Sequence, residues 1–374
     1  MLPFALRSFH LKNYKGIIDT QVDNIPDNTQ WIFLTGENGF GKTSILQGIV
    51  EHITNWQFGY ARGGLGLSYG QGRITSISLC QGDEYMQNKQ SLRAFIIKTI
   101  AYGSTRLRVS AGVTKEVTET ISSTSSLFSN DTVLINIEEN FKDWKSNYSE
   151  GFEALENIFK TLIPNLAKIE VEFDENEKKS KVKYYEKDFE GNQYEEGIEF
   201  LQLAAGYKNI IAMIGDMVNR LMLHQPVKEL KYLHGIVVID EIDLHLHPKY
   251  QKLFIQKLTE LFPLIQFIVS THSPIPLLGA PENSVIINVS RTREEGIKAE
   301  LLKIDFSVLT PNAILSSPIF GFQDLIPESK TKDKMARSED SYKEVLFNDL
   351  LDKQIDEYLT DENKQELLDL LKIK

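Results

Sequence analysis

The stretch at residues 32–46, IFLTGENGFGKTSIL, decides the fold. Its first residues are apolar, as in a buried strand, and its last residues begin a run with helical spacing. Between them, GENGFGKT fits the pattern GxxxxGK[ST], whose glycines let backbone N–H groups wrap around phosphate oxygens. The following helix points its positive end at the same anion. The stretch therefore predicts a nucleotide-binding loop made of Gly36, Glu37, Asn38, Gly39, Phe40, Gly41, Lys42, Thr43 and Ser44.

Two later segments supply the chemistry that such a loop requires. In this pattern Lys42 contacts the β- and γ-phosphates of ATP, and the Thr43 hydroxyl ligates Mg²⁺. An apolar run at residues 235–239 ends in Asp240, which we expect to hold Mg²⁺, and Glu241, which we expect to deprotonate the attacking water. His272 follows the next apolar run, where the ligand crevice of a parallel sheet lies, and is predicted to sense the γ-phosphate.

Apolar strands alternate with helices along the chain, which predicts an α/β fold. Strands that are apolar throughout are typical of a parallel sheet covered by helices on both faces. Alternating apolar and polar residues near the N-terminus predict an antiparallel β lobe beside this sheet. We expect one ATPase domain over residues 1–328, with a helical and β insertion at roughly 105–200. A polar linker and short C-terminal helices are expected over 329–374, the helices near 340–358 and 361–372.

Composition and charge narrow the functional classes. The 374 residues carry a net charge of −11, which disfavours a protein whose main task is to grip a nucleic-acid backbone. No run approaches the eighteen apolar residues of a membrane span, and no export signal is evident. Cys80 is the single cysteine, which fits a reducing cytoplasm.

Four segments together resemble one branch of the ABC-type ATPase superfamily. They are the opening LRSFHLKNYKGI, the loop GENGFGKTSIL, the run VVIDEIDLHLHP and the segment STHSP. The chain resembles the RecF/SMC/OLD branch, grouped as AAA-15 and AAA-21 ATPases, over most of residues 5–290. This resemblance implies an ABC-ATPase P-loop fold that uses ATP and Mg²⁺. It also implies an ATPase subunit of a bacterial antiphage defence system of the Septu, PARIS or retron-associated type.

In such ATPases two domains sandwich two nucleotides head to tail, so the resemblance implies a homodimer or a larger assembly. The signature loop that reaches the partner's γ-phosphate corresponds here to Ala204, Ala205, Gly206 and Tyr207. Ala204 stands where serine is usual, so the loop lacks a hydroxyl donor to the phosphate and slow hydrolysis is expected. The D-loop, which contacts the opposite subunit, corresponds to Leu244, His245, Leu246 and His247. Lys15 corresponds to a basic position near the phosphates.

Alternatives to the defence ATPase stay open at this point. The chain past Leu325 is too short and too rich in Lys and Glu for a nuclease domain, so a separate effector, such as a nuclease, is the expected partner. A RecF-like DNA-repair clamp would have the same core and would need a basic stripe on one face. A scaffold that binds ATP with little turnover is the third interpretation, and Ala204 favours it. Nucleic acid is left open as a further partner, whereas no membrane is expected.

Overall fold

The computed structural model divides the chain into two units, Met1–Gly321 and Phe322–Lys374. Within the first unit it describes residues 2–54, 68–69, 73–74, 76–81, 84–85, 98–105, 122–132, 134, 137–174 and 179–302. The expected domain boundary at residue 328 and the expected C-terminal helices lie outside these residues. They stay predictions.

The described residues form strands and helices that alternate in the second half of the chain. The strands are β1 (Ala5–Tyr14), β2 (Ile17–Val22), β3 (Trp31–Thr35), β4 (Ser68–Tyr69), β5 (Arg73–Ile74), β6 (Ser76–Gln81), β7 (Glu84–Tyr85), β8 (Thr99–Tyr102), β9 (Leu166–Asp174), β10 (Lys179–Glu186), β11 (His234–Ile239), β12 (Leu264–Ser270), β13 (Val285–Thr292) and β14 (Gly296–Leu302). The helices are α1 (Lys42–Thr54), α2 (Ile137–Asn147), α3 (Ser149–Leu162), α4 (Ala205–His224) and α5 (Pro248–Leu261). Short 3₁₀ helices lie at Ser125–Leu127, Phe200–Gln202, Leu230–Tyr232 and Pro276–Gly279.

Ten of these strands form one sheet, in the order β7-β6-β1-β2-β14-β13-β3-β12-β11-β8. The strands β13, β3, β12, β11 and β8 pair in parallel, and every residue of β3 is buried. Because carboxyl ends of parallel strands meet at one edge, the residues after β3, β11 and β12 come together. This edge carries the predicted nucleotide loop, the two acids and the histidine.

The other half of the sheet is antiparallel, as the alternating N-terminal pattern predicts. β1 and β2 form a hairpin closed by the pair Tyr14 and Ile17. At its turn Lys15 and Gly16 both have positive φ, 43° and 90°, a conformation that glycine adopts without strain. The Thr20 hydroxyl accepts the N–H of Ala299 at 2.7 Å, which joins β2 to β14 beyond their single backbone pairing.

Helices cover both faces of the sheet. One apolar core lies between the sheet and α1, whose buried residues include Ile45, Leu46 and Ile49. The other core joins the opposite face to α2–α5 and to the hairpin of β9 and β10, with Trp31 stacked on Phe267 at 4.4 Å between ring centroids. The predicted α/β fold is therefore confirmed. Among the helices of the described residues, none has both the length and the apolar character needed to cross a membrane.

The segment expected as an insertion contains a helix in sequence that has few strong periodic signals. Residues 112–150 are rich in Ser, Thr and Asn, yet α2 spans Ile137–Asn147. Ile137 and Phe141 are buried and Trp144 packs partly buried against the same core, so the apolar residues span only two turns of an otherwise polar helix. Phe141 packs edge-on against Phe152 and Phe159 of α3, with centroid distances of 5.6 and 6.0 Å. The contacts of Phe141 with α3 therefore hold this helix in place.

Replacing Phe141 with alanine tests that statement. The side chain is fully buried, and large-to-small changes in a core cost about 3–5 kcal/mol for phenylalanine. We expect Phe141→Ala to lower the urea midpoint of unfolding strongly, followed by far-ultraviolet circular dichroism. Phe173→Ala is the matched control, because that ring is 65% exposed and its loss should change stability by no more than ~0.5 kcal/mol. Equal shifts in the two variants would contradict this packing.

Candidate nucleotide-binding site

The loop between β3 and α1 has the backbone that its glycines predict. Gly36, Gly39 and Gly41 have φ values of 136°, 81° and 96°. A Cβ atom on Gly36 would stand 2.2 Å from the carbonyl oxygen of Val289, and one on Gly41 would stand 2.4 Å from Ile297 Cδ1. Gly36 is therefore required by its close packing on the backbone of β13 as well as by φ, and Gly41 is required by φ. The helix begins directly after them, at Lys42.

The amine of Lys42 is folded onto this loop. Lys42 Nζ donates to the carbonyl oxygens of Gly36 at 2.6 Å and Glu37 at 3.0 Å, and lies 3.1 Å from Nδ1 of His272. Burial lowers the pKa of Lys42 to about 8, although the negative charges of Asp240, Glu241 and Asp243 act to raise it. The lysine is thus a desolvated cation with few competing waters, where its charge acts strongly on an anion.

A chain of hydrogen bonds joins α1 to the ends of β11 and β12. Thr43 Oγ1 donates to Asp240 Oδ2 at 2.7 Å, and Ser270 Oγ donates to Asp240 Oδ1 at 2.5 Å. The same Ser270 oxygen accepts the backbone N–H of Glu241 at 2.8 Å. One buried hydroxyl therefore holds the Asp240 carboxylate and the Glu241 backbone, a role that the sequence analysis does not assign to Ser270.

Glu241 has a strained backbone. Its φ is 52°, in the left-handed region that residues other than glycine seldom occupy, at a cost of order 1–3 kcal/mol. Ser270 holds this conformation from both sides, because its hydroxyl accepts from Glu241 N and its carbonyl accepts from Ile242 N at 3.0 Å. This left-handed conformation turns the chain shortly after the end of β11, at the residue predicted to be the base.

His272 lies between the lysine and this acid. Its Nδ1 faces Lys42 Nζ at 3.1 Å, and its Nε2 is 3.8 Å from Glu241 Oε1. Burial and then the charge of Lys42 lower the pKa of His272, so the ring is neutral near pH 7. A neutral ring that accepts from Lys42 at Nδ1 carries its proton on Nε2, on the side of Glu241. The structure thus brings together all three predicted catalytic residues, Lys42, Glu241 and His272.

The donor set beside the loop suits a hard divalent cation. Thr43 and Asp240 present a hydroxyl and a carboxylate oxygen to each other, and Mg²⁺ is bound through one or two such protein oxygens plus substrate phosphates. The residues present therefore fit Mg²⁺. Glu37, Asn38 and Gly39 of the loop are exposed, whereas Phe40 and Ser44 are partly buried.

Lys15 is bonded to α1 at Gln47, one helical turn after the predicted metal ligand Thr43. Its Nζ donates to Gln47 Oε1 at 2.6 Å, and Gln47 follows Thr43 by four residues on α1. The amine also lies 5.5 Å from the ring centroid of Phe128. The structure does not bring Lys15 into contact with the loop itself, so its approach to the phosphates stays a prediction.

The predicted signature loop and D-loop meet each other away from the nucleotide loop. They line a cavity of about 240 Å³ through Ala204, Gly206, Tyr207, His245, Leu246 and His247. A Cβ on Gly206 would stand 2.8 Å from the carbonyl oxygen of His245, and Asn209 Nδ2 donates to the carbonyl oxygen of Leu244 at 3.3 Å. Ala205 is the first residue of α4, after Ala204 at its N-cap. No residue of the nucleotide loop lines this cavity.

Comparison with known families identifies the domain. The AAA ATPase domain profile (AAA-15) matches residues 75–275, more than half of the chain. The chain belongs to the AAA ATPase domain family. This match confirms the resemblance that the sequence motifs indicate. The nucleotide loop itself lies before the matched residues, and the geometry above joins it to this AAA ATPase domain.

Relatives of this AAA ATPase domain protein include two groups of curated proteins. The Septu protein PtuA of Bacillus mycoides is 28% identical over 353 residues, which cover 86% of this chain and 46% of PtuA. The probable ATPase of retron Vc95 from Vibrio cholerae is 47% identical over 93 residues, or 24% of this chain and 18% of that protein. The chain thus spans less than half the length of these relatives.

Solved structures matched by the chain include SMC head domains. An SMC head bound to the C-terminal winged-helix domain of ScpA has 14% identity and a TM-score of 0.47, covering 81% of this chain and 98% of its own. The SMC head domain from Thermotoga maritima has 13% identity and a TM-score of 0.41, covering 80% and 99%.

The double role of Ser270 leads to a prediction. Ser270→Ala removes a donor to the Asp240 carboxylate and an acceptor for Glu241 N–H, and a hydrogen bond to a charged group is worth about 1.5–3 kcal/mol. We expect kcat for ATP hydrolysis to fall by about tenfold or more, whereas the affinity for ATP changes little. Steady-state phosphate release and a fluorescent-nucleotide titration measure the two quantities.

Ser273→Ala serves as the matched control in the same segment. Its hydroxyl donates to Gln251 Oε1 at 2.8 Å and touches neither acid. This variant should keep kcat within about twofold of the wild type. A loss of activity in Ser273→Ala equal to that in Ser270→Ala would contradict the assignment, because it would report a general disturbance of the segment.

Proposed function

We propose that this protein is an ATP-binding and ATP-hydrolysing subunit of a bacterial antiphage defence complex. The observation that carries the proposal is the contact of Thr43 with Asp240, beside Lys42, Glu241 and His272. A hydroxyl, a carboxylate, a buried lysine, an acid and a neutral histidine at one loop form the set needed for phosphoryl transfer to water.

Each residue has a proposed role in that reaction. The loop of Gly36–Lys42 would receive the phosphates on its backbone N–H groups, and Lys42 would stabilise negative charge on the γ-phosphate. Mg²⁺, held by Thr43 and Asp240, supplies charge neutralisation when bound. Glu241 would orient and deprotonate the attacking water. His272, with Nε2–H on the side of Glu241, would donate to the γ-phosphate and register its loss.

We infer that two copies of the chain assemble around nucleotide. Three signature residues and three D-loop residues line one cavity, and no residue of the chain's own nucleotide loop lines it. In a head-to-tail assembly the N-terminus of α4 would face the nucleotide of the second copy, offering backbone N–H groups and the positive end of the helix dipole. Ala204 offers no hydroxyl there, which favours slow turnover.

The biological setting is proposed from the relatives. They are named Septu protein PtuA and retron probable ATPase. We propose that this protein likewise acts in the cytoplasm with a separate effector, such as a nuclease, and that the nucleotide state governs the effector. A scaffold that binds ATP with little turnover is the second candidate, favoured by the missing hydroxyl at Ala204.

The solution mass of Glu241→Gln with and without Mg-ATP tests the assembly. The variant keeps the contacts of Lys42 and Thr43 but lacks the base, so it should bind ATP, fail to hydrolyse it and accumulate as the closed assembly. We expect multi-angle light scattering to show a mass at least twice that of the chain only when Mg-ATP is present.

Glu241→Gln/Lys42→Ala is the control for that experiment. Loss of the lysine removes the main contact with the phosphates, so the double variant should stay at the mass measured without nucleotide. A mass that does not respond to Mg-ATP in Glu241→Gln would refute the switching assembly. Wild-type ATP binding without measurable phosphate release would favour the scaffold.

A further inference from the structure

Three polar side chains, those of Tyr102, Asp216 and Arg220, are hydrogen-bonded together between α4 and β8, the last strand at the parallel end of the sheet. The hydroxyl of Tyr102, the last residue of β8, donates to Asp216 Oδ2 on α4 at 2.8 Å. Arg220 Nε donates to the same oxygen at 2.9 Å. The side chains of Asp216 and Arg220 are only 1% and 11% exposed. Burying such charges is costly, and apolar residues of similar volume would pack here without that cost.

The backbone of Tyr102 is hydrogen-bonded to the acid segment of the site. Its carbonyl oxygen accepts the N–H of Asp240 at 2.8 Å, in the parallel pairing of Tyr102 with Ile239. One residue therefore holds α4 with its side chain and Asp240 with its main chain. Asp240 is the acid whose carboxylate accepts from Thr43 and Ser270.

The face of α4 that carries Asp216 also makes contacts nearer the N-terminus of the helix, with residues that follow the two acids. Gly206, Asn209 and Asp216 are spaced three and seven residues apart, so they lie on one face of the helix. Gly206 lies against the carbonyl of His245, and Asn209 donates to the carbonyl of Leu244. Near its N-terminus the signature helix is thus attached to the segment after β11, whereas further along the same face Asp216 is attached to β8 through the Tyr102 hydroxyl.

We propose that Tyr102, Asp216 and Arg220 are positioning residues that fix the Asp240 backbone to α4, so that the place of the signature helix sets the cation affinity of Asp240. The proposal rests on the proposed function, because it assigns regulation to the same Mg²⁺ site. Removing an outer-shell group that positions a metal ligand typically weakens metal binding by about 10–100-fold.

The protonation state of the tyrosine suits this role. Burial and the neighbouring Asp216 charge raise the pKa of the Tyr102 hydroxyl well above its ordinary value. The hydroxyl therefore stays protonated near neutral pH and donates to Asp216.

Tyr102→Phe tests the proposal, with Tyr184→Phe as the matched control. Both side chains are fully buried, and each variant deletes one hydroxyl and keeps the ring. Tyr184 donates to Glu138 of α2 at 3.4 Å and is not bonded to the site through its backbone. We measure Mn²⁺ affinity by electron paramagnetic resonance with a non-hydrolysable ATP analogue, and amide hydrogen exchange of residues 235–243 without nucleotide.

The expected result is that Tyr102→Phe weakens Mn²⁺ binding by about tenfold and speeds exchange at Asp240, whereas Tyr184→Phe changes neither. Asp216→Asn keeps an acceptor for the Tyr102 hydroxyl, and it should retain most of the wild-type Mn²⁺ affinity. Wild-type Mn²⁺ affinity and exchange in Tyr102→Phe would overturn the proposal, as would equal losses in Tyr184→Phe. Absence of Mn²⁺ and analogue binding in the wild type would instead refute the proposed function.

Discussion

The parallel register of β3, β12 and β11 is the constraint on which the site depends. Ile268 pairs with Ile32, and Val238 pairs with Ile268, so the three strands end at one level. That level places the loop after β3, the acids after β11 and Ser270 of β12 within hydrogen-bond reach of one another. The register is fixed by apolar residues buried on both faces. The core therefore positions the polar site.

The site combines unfavourable and favourable contributions. Lys42, Asp240 and Ser270 are buried at the rim of an apolar sheet, and Glu241 has a strained φ. Hydrogen bonds offset these costs. Lys42 donates to two carbonyl oxygens, Asp240 accepts from the Thr43 and Ser270 hydroxyls, and Glu241 donates its backbone N–H to Ser270. Such preorganised polar groups are effective at stabilising developing charge, because they need no reorganisation during the reaction.

Much of this site could be predicted from sequence because its residues are carried by local motifs. Asp240 directly follows an apolar strand, His272 lies two residues after another, and Lys42 ends the glycine loop that follows a third. Such strand ends are recognisable without tertiary information. Ser270 was missed as a positioning residue because its role depends on which strand lies beside β12. Tyr102 and Asp216 are 114 residues apart, and no local pattern signals their contact. The helix α2 is hard to predict because its three core-facing residues, Ile137, Phe141 and Trp144, lie in a short segment that is otherwise polar and charged.

The central claim is that the Thr43–Asp240 contact marks the Mg²⁺ site of an ATP-binding loop. A crystal structure with Mg²⁺ and a non-hydrolysable ATP analogue tests it most directly. The account predicts phosphates against the backbone of residues 36–43 and Mg²⁺ coordinated by the Thr43 hydroxyl, with Asp240 bound directly or through water. Nucleotide at another place on the domain, or Mg²⁺ that leaves Thr43 still donating to Asp240, would contradict it.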